Sequence, residues 1–78
     1  PPQNLLYFPL AGARHNRSGL DEFFPVSLSG NPTQAKPIPF NTSGDITAVM
    51  QADGLACHPA DQPLLTEGMN LACYQIES

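Results

Sequence analysis

The sequence contains no tryptophan and little charge. Charged residues make up 13% of the chain, whereas soluble domains usually carry about 25%. The basic residues are Arg14, Arg17 and Lys36, and they form no run. Because binding to a phosphate backbone depends on clustered Lys and Arg, this composition argues against a nucleic-acid partner. The shortage of charge indicates that part of the surface faces other protein.

Long apolar runs are also missing. No segment approaches the roughly 20 residues that a membrane span needs, and no charged-then-apolar signal opens the chain. We therefore expect no membrane partner. A processed secreted protein would also lack the signal, so its absence decides little, and the prediction of a cytoplasmic protein rests on the cysteines.

Cysteine is scarce, since Cys57 and Cys73 permit one disulfide at most. Disulfide-dense secreted scaffolds carry more, so reduced core thiols are the favoured interpretation. A secreted domain stays open as an alternative, because Asn16-Arg17-Ser18 and Asn41-Thr42-Ser43 both fit the N-glycosylation pattern.

What the chain does have is nine prolines and six glycines among 78 residues. Frequent breakers favour short strands and tight turns over a helical bundle. We predict one small β domain over residues 1–78, in which residues 1–4 (PPQN) form an extended linker. A domain of this size buries only about 60% of the surface of its unfolded chain, so its core must be thin.

Alternation and apolar runs predict five strands. The predicted strands are Leu5–Ala11, Glu22–Ser29, Ala35–Phe40, Leu55–Pro59 and Asn70–Ile76. Within the second, Phe24, Val26 and Leu28 share a face. Pro9 and Pro25 lack the N–H that a ladder needs. The first strand is therefore predicted to lie at a sheet edge or to end near Pro9, and the strand with Pro25 is predicted to lie at an edge. Residues 12–19 and 60–69 are predicted to be loops, the latter with Gly68 as its turn residue.

One short helix is predicted from Asp45 to Ala52. Ile46, Val49 and Met50 have the i, i+3, i+4 spacing of a single helix face, and Gly54 ends the run. Thr42, Ser43 or Asp45 itself would cap its first turn. The fold class is therefore all-β with one small helix.

The turn Thr42-Ser43-Gly44-Asp45 is the candidate ligand site. Backbone amides at the start of a helix, together with the two hydroxyls, can form a nest for an anion. The same residues also suit a purely structural role, since Ser and Thr cap helices and Gly permits the turn. One carboxylate makes no Mg²⁺ site, so capping is the favoured role for Asp45.

The remaining polar groups predict neither a metal site nor a catalytic centre. Cys57, His58 and Cys73 are three soft ligands, but structural zinc requires four, usually with a close Cys pair. His15 and His58 have no partnered nucleophile in the sequence. The segment with Arg14 and Arg17 is interpreted as a solvated loop.

An ordered series of motifs resembles the C-terminal domain of MoeA-type molybdopterin molybdotransferases, which are related to the E domain of gephyrin. The motifs, within about Ser18 to Ile76, are SGLDEFFPVSL (18–28), TSGDIT (42–47), ADGL (52–55), Pro59 and EGM (67–69). The chain departs from the family at Pro25, where Arg is common, and at Phe40-Asn41-Thr42, which leads into the turn.

The resemblance implies a bent ribbon that closes on itself, a β-clip-like partial barrel. It implies that the parent protein inserts molybdate into adenylylated molybdopterin with Mg²⁺ during molybdenum cofactor biosynthesis. This chain would line the active-site cleft or a homodimer interface through Thr42, Ser43, Gly44 and Asp45, beside upstream domains, without catalysing the reaction or binding a cofactor alone. The alternative is a non-catalytic binding or scaffold module with the same fold, which Pro25 in place of Arg motivates.

Overall fold

The computed structural model describes residues 5–39 and 50–75, which form two antiparallel sheets. The strands are β1 (Leu5–Pro9), β2 (Arg14–His15), β3 (Glu22–Ser29), β4 (Gln34–Pro37), β5 (Gly54–His58), β6 (Leu64–Leu65) and β7 (Asn70–Gln75). The main sheet has five strands in the order β1-β7-β5-β3-β4, and β2 pairs with β6 separately. The prediction of a small all-β domain is confirmed.

The five predicted strands correspond to the five strands of the main sheet. The two-residue strands β2 and β6 lie in segments predicted to be loops, so that prediction is wrong. Arg14 pairs with Leu65 and His15 with Leu64, about 50 residues apart in the chain. Two residues have no measurable periodicity, so only the folded chain can place such strands together.

The core lies on one face of the main sheet, where alternate residues point inward. In β3, Phe24 and Val26 are buried, and Leu28 packs against them, as the alternation predicted. The buried apolar set is Leu10, Phe24, Val26, Ala35, Ala56, Leu65, Leu71 and Cys73. Full burial of a side chain such as Phe24 contributes about 1.5–3 kcal/mol of transfer free energy.

The main sheet curls until its two edges meet at one end. Leu10, just after β1, forms a parallel bridge with Ala35 of β4. The Ala11 N–H donates to the Ala35 carbonyl at 2.9 Å. This contact makes the sheet a half-barrel and confirms the predicted bent ribbon.

The two strand prolines occupy different positions. Pro9 lies in β1, an edge strand, as predicted. Pro25 lies in β3, between β5 and β4, so the edge prediction for this strand is wrong. The Pro25 carbonyl accepts the Ile38 N–H at 2.9 Å, which shows that its backbone polar groups face the side of β4. The missing N–H of Pro25 therefore faces β4, which ends at Pro37, and no bond to β5 is lost.

The predicted helix is described only at its end. Met50 and Gln51 are helical, whereas Ile46, Val49 and the capping residues lie outside the described residues. The Met50 side chain was predicted on the packed face, yet it is 79% exposed. Gly54, predicted to end the helix, begins β5.

The two cysteines lie on opposite faces of the main sheet. Ala56 of β5 is opposite Cys73 of β7, so Cys57, one residue along β5, points to the other face. Cys73 is buried, Cys57 is only half-buried, and both are free thiols. Burial raises the pKa of each thiol.

Candidate functional site

The predicted ligand turn, Thr42-Ser43-Gly44-Asp45, lies outside the described residues, but the chain on both sides of it is fixed. The Ile38 N–H donates to the Pro25 carbonyl at 2.9 Å, and the Asp53 N–H donates to the Val26 carbonyl at 2.9 Å. Successive carbonyls of a strand point to opposite sides. The chain therefore leaves on one side of β3 and returns on the other.

Asp53 of the ADG motif (Ala52-Asp53-Gly54) completes the hydrogen bonding of β3. β3 continues past the start of β5, where Val26 is opposite Gly54. The Leu28 N–H beyond that point donates to Oδ2 of Asp53 at 2.9 Å. A charged acceptor makes a stronger bond than a neutral one, so the acid has a structural role here.

Gly54 lets β5 approach β7 closely. A Cβ at this position would lie 2.9 Å from the carbonyl oxygen of Tyr74. Real Cβ atoms essentially never come this close to a backbone atom, so one strand would have to shift. A hydrogen bond to β3 therefore accounts for Asp53, and close packing against β7 accounts for Gly54.

The EGM motif (Glu67-Gly68-Met69) forms the turn into β7 and joins it to the closing end of the half-barrel. Gly68 has φ +88°, which confirms its predicted role as the turn residue. The Gly68 N–H donates to the Leu10 carbonyl at 2.9 Å, and the Leu10 N–H donates to the Met69 carbonyl at 2.8 Å.

A polar cluster that the sequence did not predict lies between β2, β3 and β5. The Arg14 guanidinium donates from Nη1 to Oε1 of Glu22 and to Nδ1 of His58, each at 2.8 Å. Its Cζ also lies 4.2 Å from the centroid of the Phe24 ring. Arg14 is therefore paired and partly buried, and its assignment to a solvated loop is wrong. The Arg14 hydrogen bond is the chief cause that lowers the pKa of Glu22.

His58 is fully buried, and both of its ring nitrogens are bonded. Arginine can only donate, so Nδ1 accepts from Arg14. Nε2 lies 2.6 Å from the Gln62 carbonyl, which can only accept, so Nε2 carries the proton. The ring is thus a neutral Nε2–H tautomer, and no lone pair remains for a metal or for proton abstraction.

The Asn16 side chain is fully engaged inside its loop. Its Nδ2 donates to the carbonyls of Leu20 at 2.8 Å and His58 at 3.3 Å. Its Oδ1 accepts from the N–H groups of Ser18 and Gly19, each at 3.1 Å. A glycan on this amide nitrogen would replace one of its two hydrogens and so remove at least one of the Nδ2 bonds. Asn16 therefore has a structural role in its loop, while the second glycosylation pattern, at Asn41, lies outside the described residues.

A family model for the MoeA C-terminal region (domain IV) matches residues 7–76. That is 70 of the 78 residues (76 − 7 + 1). The chain belongs to this family. No curated protein and no solved structure matched the chain. Membership of the MoeA C-terminal family suggests a context of molybdenum cofactor biosynthesis.

The ADG and EGM motifs of this MoeA-type domain have structural roles: they supply a hydrogen bond to β3, the close approach of β5 to β7 and the turn into β7. Across residues 5–39 and 50–75, no three His, Cys, Asp or Glu side chains form a group that could hold a metal. No helix in the same ranges is long and apolar enough to cross a membrane.

The cluster of Arg14, Glu22 and His58 had only a faint sequence signal. His58 follows Gly54 and Ala56 at the inward positions of β5, which marks it as a buried polar residue that requires partners. Nothing in the sequence indicates that the partner is Arg14, because 44 residues separate the two.

Proposed function

We propose that this chain is the C-terminal domain of a MoeA-type molybdopterin molybdotransferase. That parent protein inserts molybdate into adenylylated molybdopterin. The observation that carries the proposal is the family match over residues 7–76. The parent is cytoplasmic and homodimeric, and this domain lines the substrate cleft while other domains hold Mg²⁺ and the pterin. Residues 1–78 form one unit beside those domains, with residues 1–4 as the linker.

The part of the domain that contacts substrate is the turn Thr42-Ser43-Gly44-Asp45. The anchors of Ile38 and Asp53 on β3 support this assignment, because they tie both ends of the segment to the sheet. The hydroxyls and backbone amides of such a turn are donors suited to molybdate or to the phosphate of the adenylylated pterin. In this role the turn binds the anionic substrate and contributes no catalytic group.

The test is molybdate insertion by the full-length parent carrying Ser43→Ala. We expect insertion to fall while the free energy of unfolding changes little, because Thr42 or Asp45 can replace a lost cap. Ser29→Ala, an exposed serine at the end of β3, is the matched control and should leave both quantities unchanged. If Ser43→Ala lowers stability and leaves insertion intact, the turn is only a helix cap.

A scaffold module without cofactor work is the second candidate, and Pro25 favours it. This proline stands where the family commonly carries Arg, and it is buried with no side-chain donor to offer an anion. Calorimetric titration of the whole protein with molybdate and with molybdopterin separates the two candidates. Clear binding that is lost in Ser43→Ala and Asp45→Ala would rule out the scaffold.

A further inference from the structure

The face of the main sheet opposite the core is apolar and carries no charged side chain on β1, β7, β5 or β3. We call it the outer face. Alternation along the strands places on it Leu5, Tyr7, Phe23, Leu55, Cys57, Ala72 and Tyr74. The polar residues Ser27 and Asn70 lie at its ends, and Lys36 of β4 lies at its rim.

The outer face is continuous, and much of it is open. Leu5 is opposite Tyr74, and Tyr74 is opposite Leu55, so one row crosses three strands. The rings of Tyr74 and Phe23 extend this contact to β3, with centroids 6.4 Å apart. Tyr7 is 64% exposed, Phe23 54%, Leu5 41% and Tyr74 36%. Contiguous apolar patches of a few hundred Å² are often functional, whereas apolar residues scattered singly over a surface are normal.

The size of the outer face selects the kind of partner. An aromatic side chain buries about 150–250 Å², so the exposed fractions give roughly 300 Å² for the three rings and on the order of 400 Å² in total. A stable complex between separate chains buries about 800 Å² on each partner. Interfaces between domains of one chain are smaller, about 300–750 Å² on each side, because the linker keeps the domains at a high effective concentration.

We propose that the outer face docks against an uncharged, apolar surface of another domain of the same polypeptide. This inference rests on the proposed function, since the matched family is described as a C-terminal region, domain IV, and the proposed parent protein would hold the other domains. The opposite face of the sheet is filled by the domain's own core. Apart from Lys36 at its rim, the strands place no charged side chain on the outer face, so the face matches an apolar surface better than an acidic or basic one.

The native thiol of Cys57 reports on docking, because it lies on the outer face. The experiment measures its labelling rate in the folded full-length protein, in wild type and in Tyr7→Lys. Tyr7 is two strands away from Cys57, so the substitution charges the face without touching the thiol. Leu20→Lys is the matched control, since Leu20 is 69% exposed and lies off the face in the loop before β3.

We expect Cys57 to be labelled at least about tenfold faster in Tyr7→Lys, because each 1.4 kcal/mol of lost docking free energy is a factor of ten in the undocked population. Leu20→Lys should match wild type. Cys73 in the core should stay unlabelled, which shows that the domain remains folded. If Tyr7→Lys exposes Cys73, Leu5→Lys at the edge of the same face replaces it as the deciding variant.

Equal Cys57 rates in wild type and in the folded face variant would overturn the docking proposal. Protection that rises with protein concentration would also overturn it, because a second copy would then cover the face. The molybdate insertion assay on the same wild-type protein keeps the two proposals apart. If the protein inserts molybdate but Cys57 is unprotected, only the docking proposal is refuted. If Cys57 is protected but no molybdate is inserted, only the proposed enzymatic function is refuted.

Discussion

Arg14 shows how much one side chain can hold together in a domain of 78 residues. It lies in β2, and its Nη1 bonds Glu22 of β3 and His58 of β5. The neutral His58 ring in turn donates to the Gln62 carbonyl. Removing the guanidinium leaves a buried imidazole nitrogen and a partly buried carboxylate without their donor.

Arg14→Met should therefore destabilise the fold by about 1–3 kcal/mol, the cost of leaving buried polar groups unpaired. Methionine keeps much of the apolar stem over Phe24, so the lost stability reports on the hydrogen bonds of the guanidinium rather than on packing. Chemical denaturation measures the change. Arg17→Met, at an exposed position, is the control and should stay within about 0.5 kcal/mol of wild type. If Arg14→Met leaves the free energy of unfolding unchanged, the cluster makes no net contribution to stability.

The ion pair of Arg14 and Glu22 also predicts a pH dependence. The folded-state pKa of Glu22 is lowered chiefly by the hydrogen bond from Arg14. A carboxyl with a lowered pKa stabilises the fold above its unfolded pKa, and that stabilisation is lost as the pH falls through the folded pKa.

We expect Glu22→Gln to be less stable than wild type near neutral pH, with the difference shrinking in acid below the ordinary pKa range of Glu. Unfolding free energies of both proteins across that pH range give the measurement. Glu67→Gln, at an exposed turn, controls for the loss of one negative charge. A gap that stays constant into acid would contradict the assignment of the shift to Arg14.

At the scale of elements, β3 organises the sheet. It pairs with β5 and β4, and it receives both ends of the segment that carries the predicted ligand turn. Its pairing with β5 depends on Gly54, which must also fit against β7.

Gly54→Ala tests that fit. Removing a glycine usually stabilises a protein by about 0.4–1 kcal/mol through the unfolded chain. Here the new Cβ meets the Tyr74 carbonyl at 2.9 Å, so we expect a net destabilisation of about 1–3 kcal/mol. Thermal or chemical unfolding gives the sign directly. A stabilised variant would show that β5 and β7 separate at little cost.

The register of β5 and β7 predicts the behaviour of the cysteines. Because Cys57 and Cys73 point to opposite faces, mild oxidation of the folded domain should form no disulfide between them. Cys73, buried and with a raised pKa, should resist thiol reagents. Mass spectrometry without reductant measures both outcomes, and an internal disulfide in native protein would require a different register.

At the scale of the whole molecule, a thin core lies inside a curled sheet, and an apolar outer face lies on its other side. The low charge of the sequence indicated a surface that faces other protein, and the docking proposal assigns that surface to the outer face. The two proposals use different parts of the domain, the Thr42–Asp45 turn for substrate and the outer face for docking.

The fold itself predicts a far-UV circular dichroism spectrum dominated by β structure. The described residues contain seven strands and only two helical residues, Met50 and Gln51. A spectrum dominated by helix would contradict the architecture.

The strands of the main sheet could be predicted because each is a local pattern. Phe24 and Val26 alternate toward the core, and so do Leu71 and Cys73, whatever their neighbours are. The place of each strand in the sheet could not be predicted in this way. Pro25 suggested an edge, but only the end of β4 near Pro37 decides whether its missing N–H matters.

The sequence by itself determined the all-β class, the five main strands, the turn at Gly68 and the family. Each of these depends on residues close together in the chain, or on ordered motifs that need no three-dimensional pairing. Only the tertiary structure decided the cluster of Arg14, Glu22 and His58, the short strands β2 and β6, and the separation of the two thiols. Those features join residues far apart in sequence, and a contact between distant residues exists only once the chain has curled and its register is set.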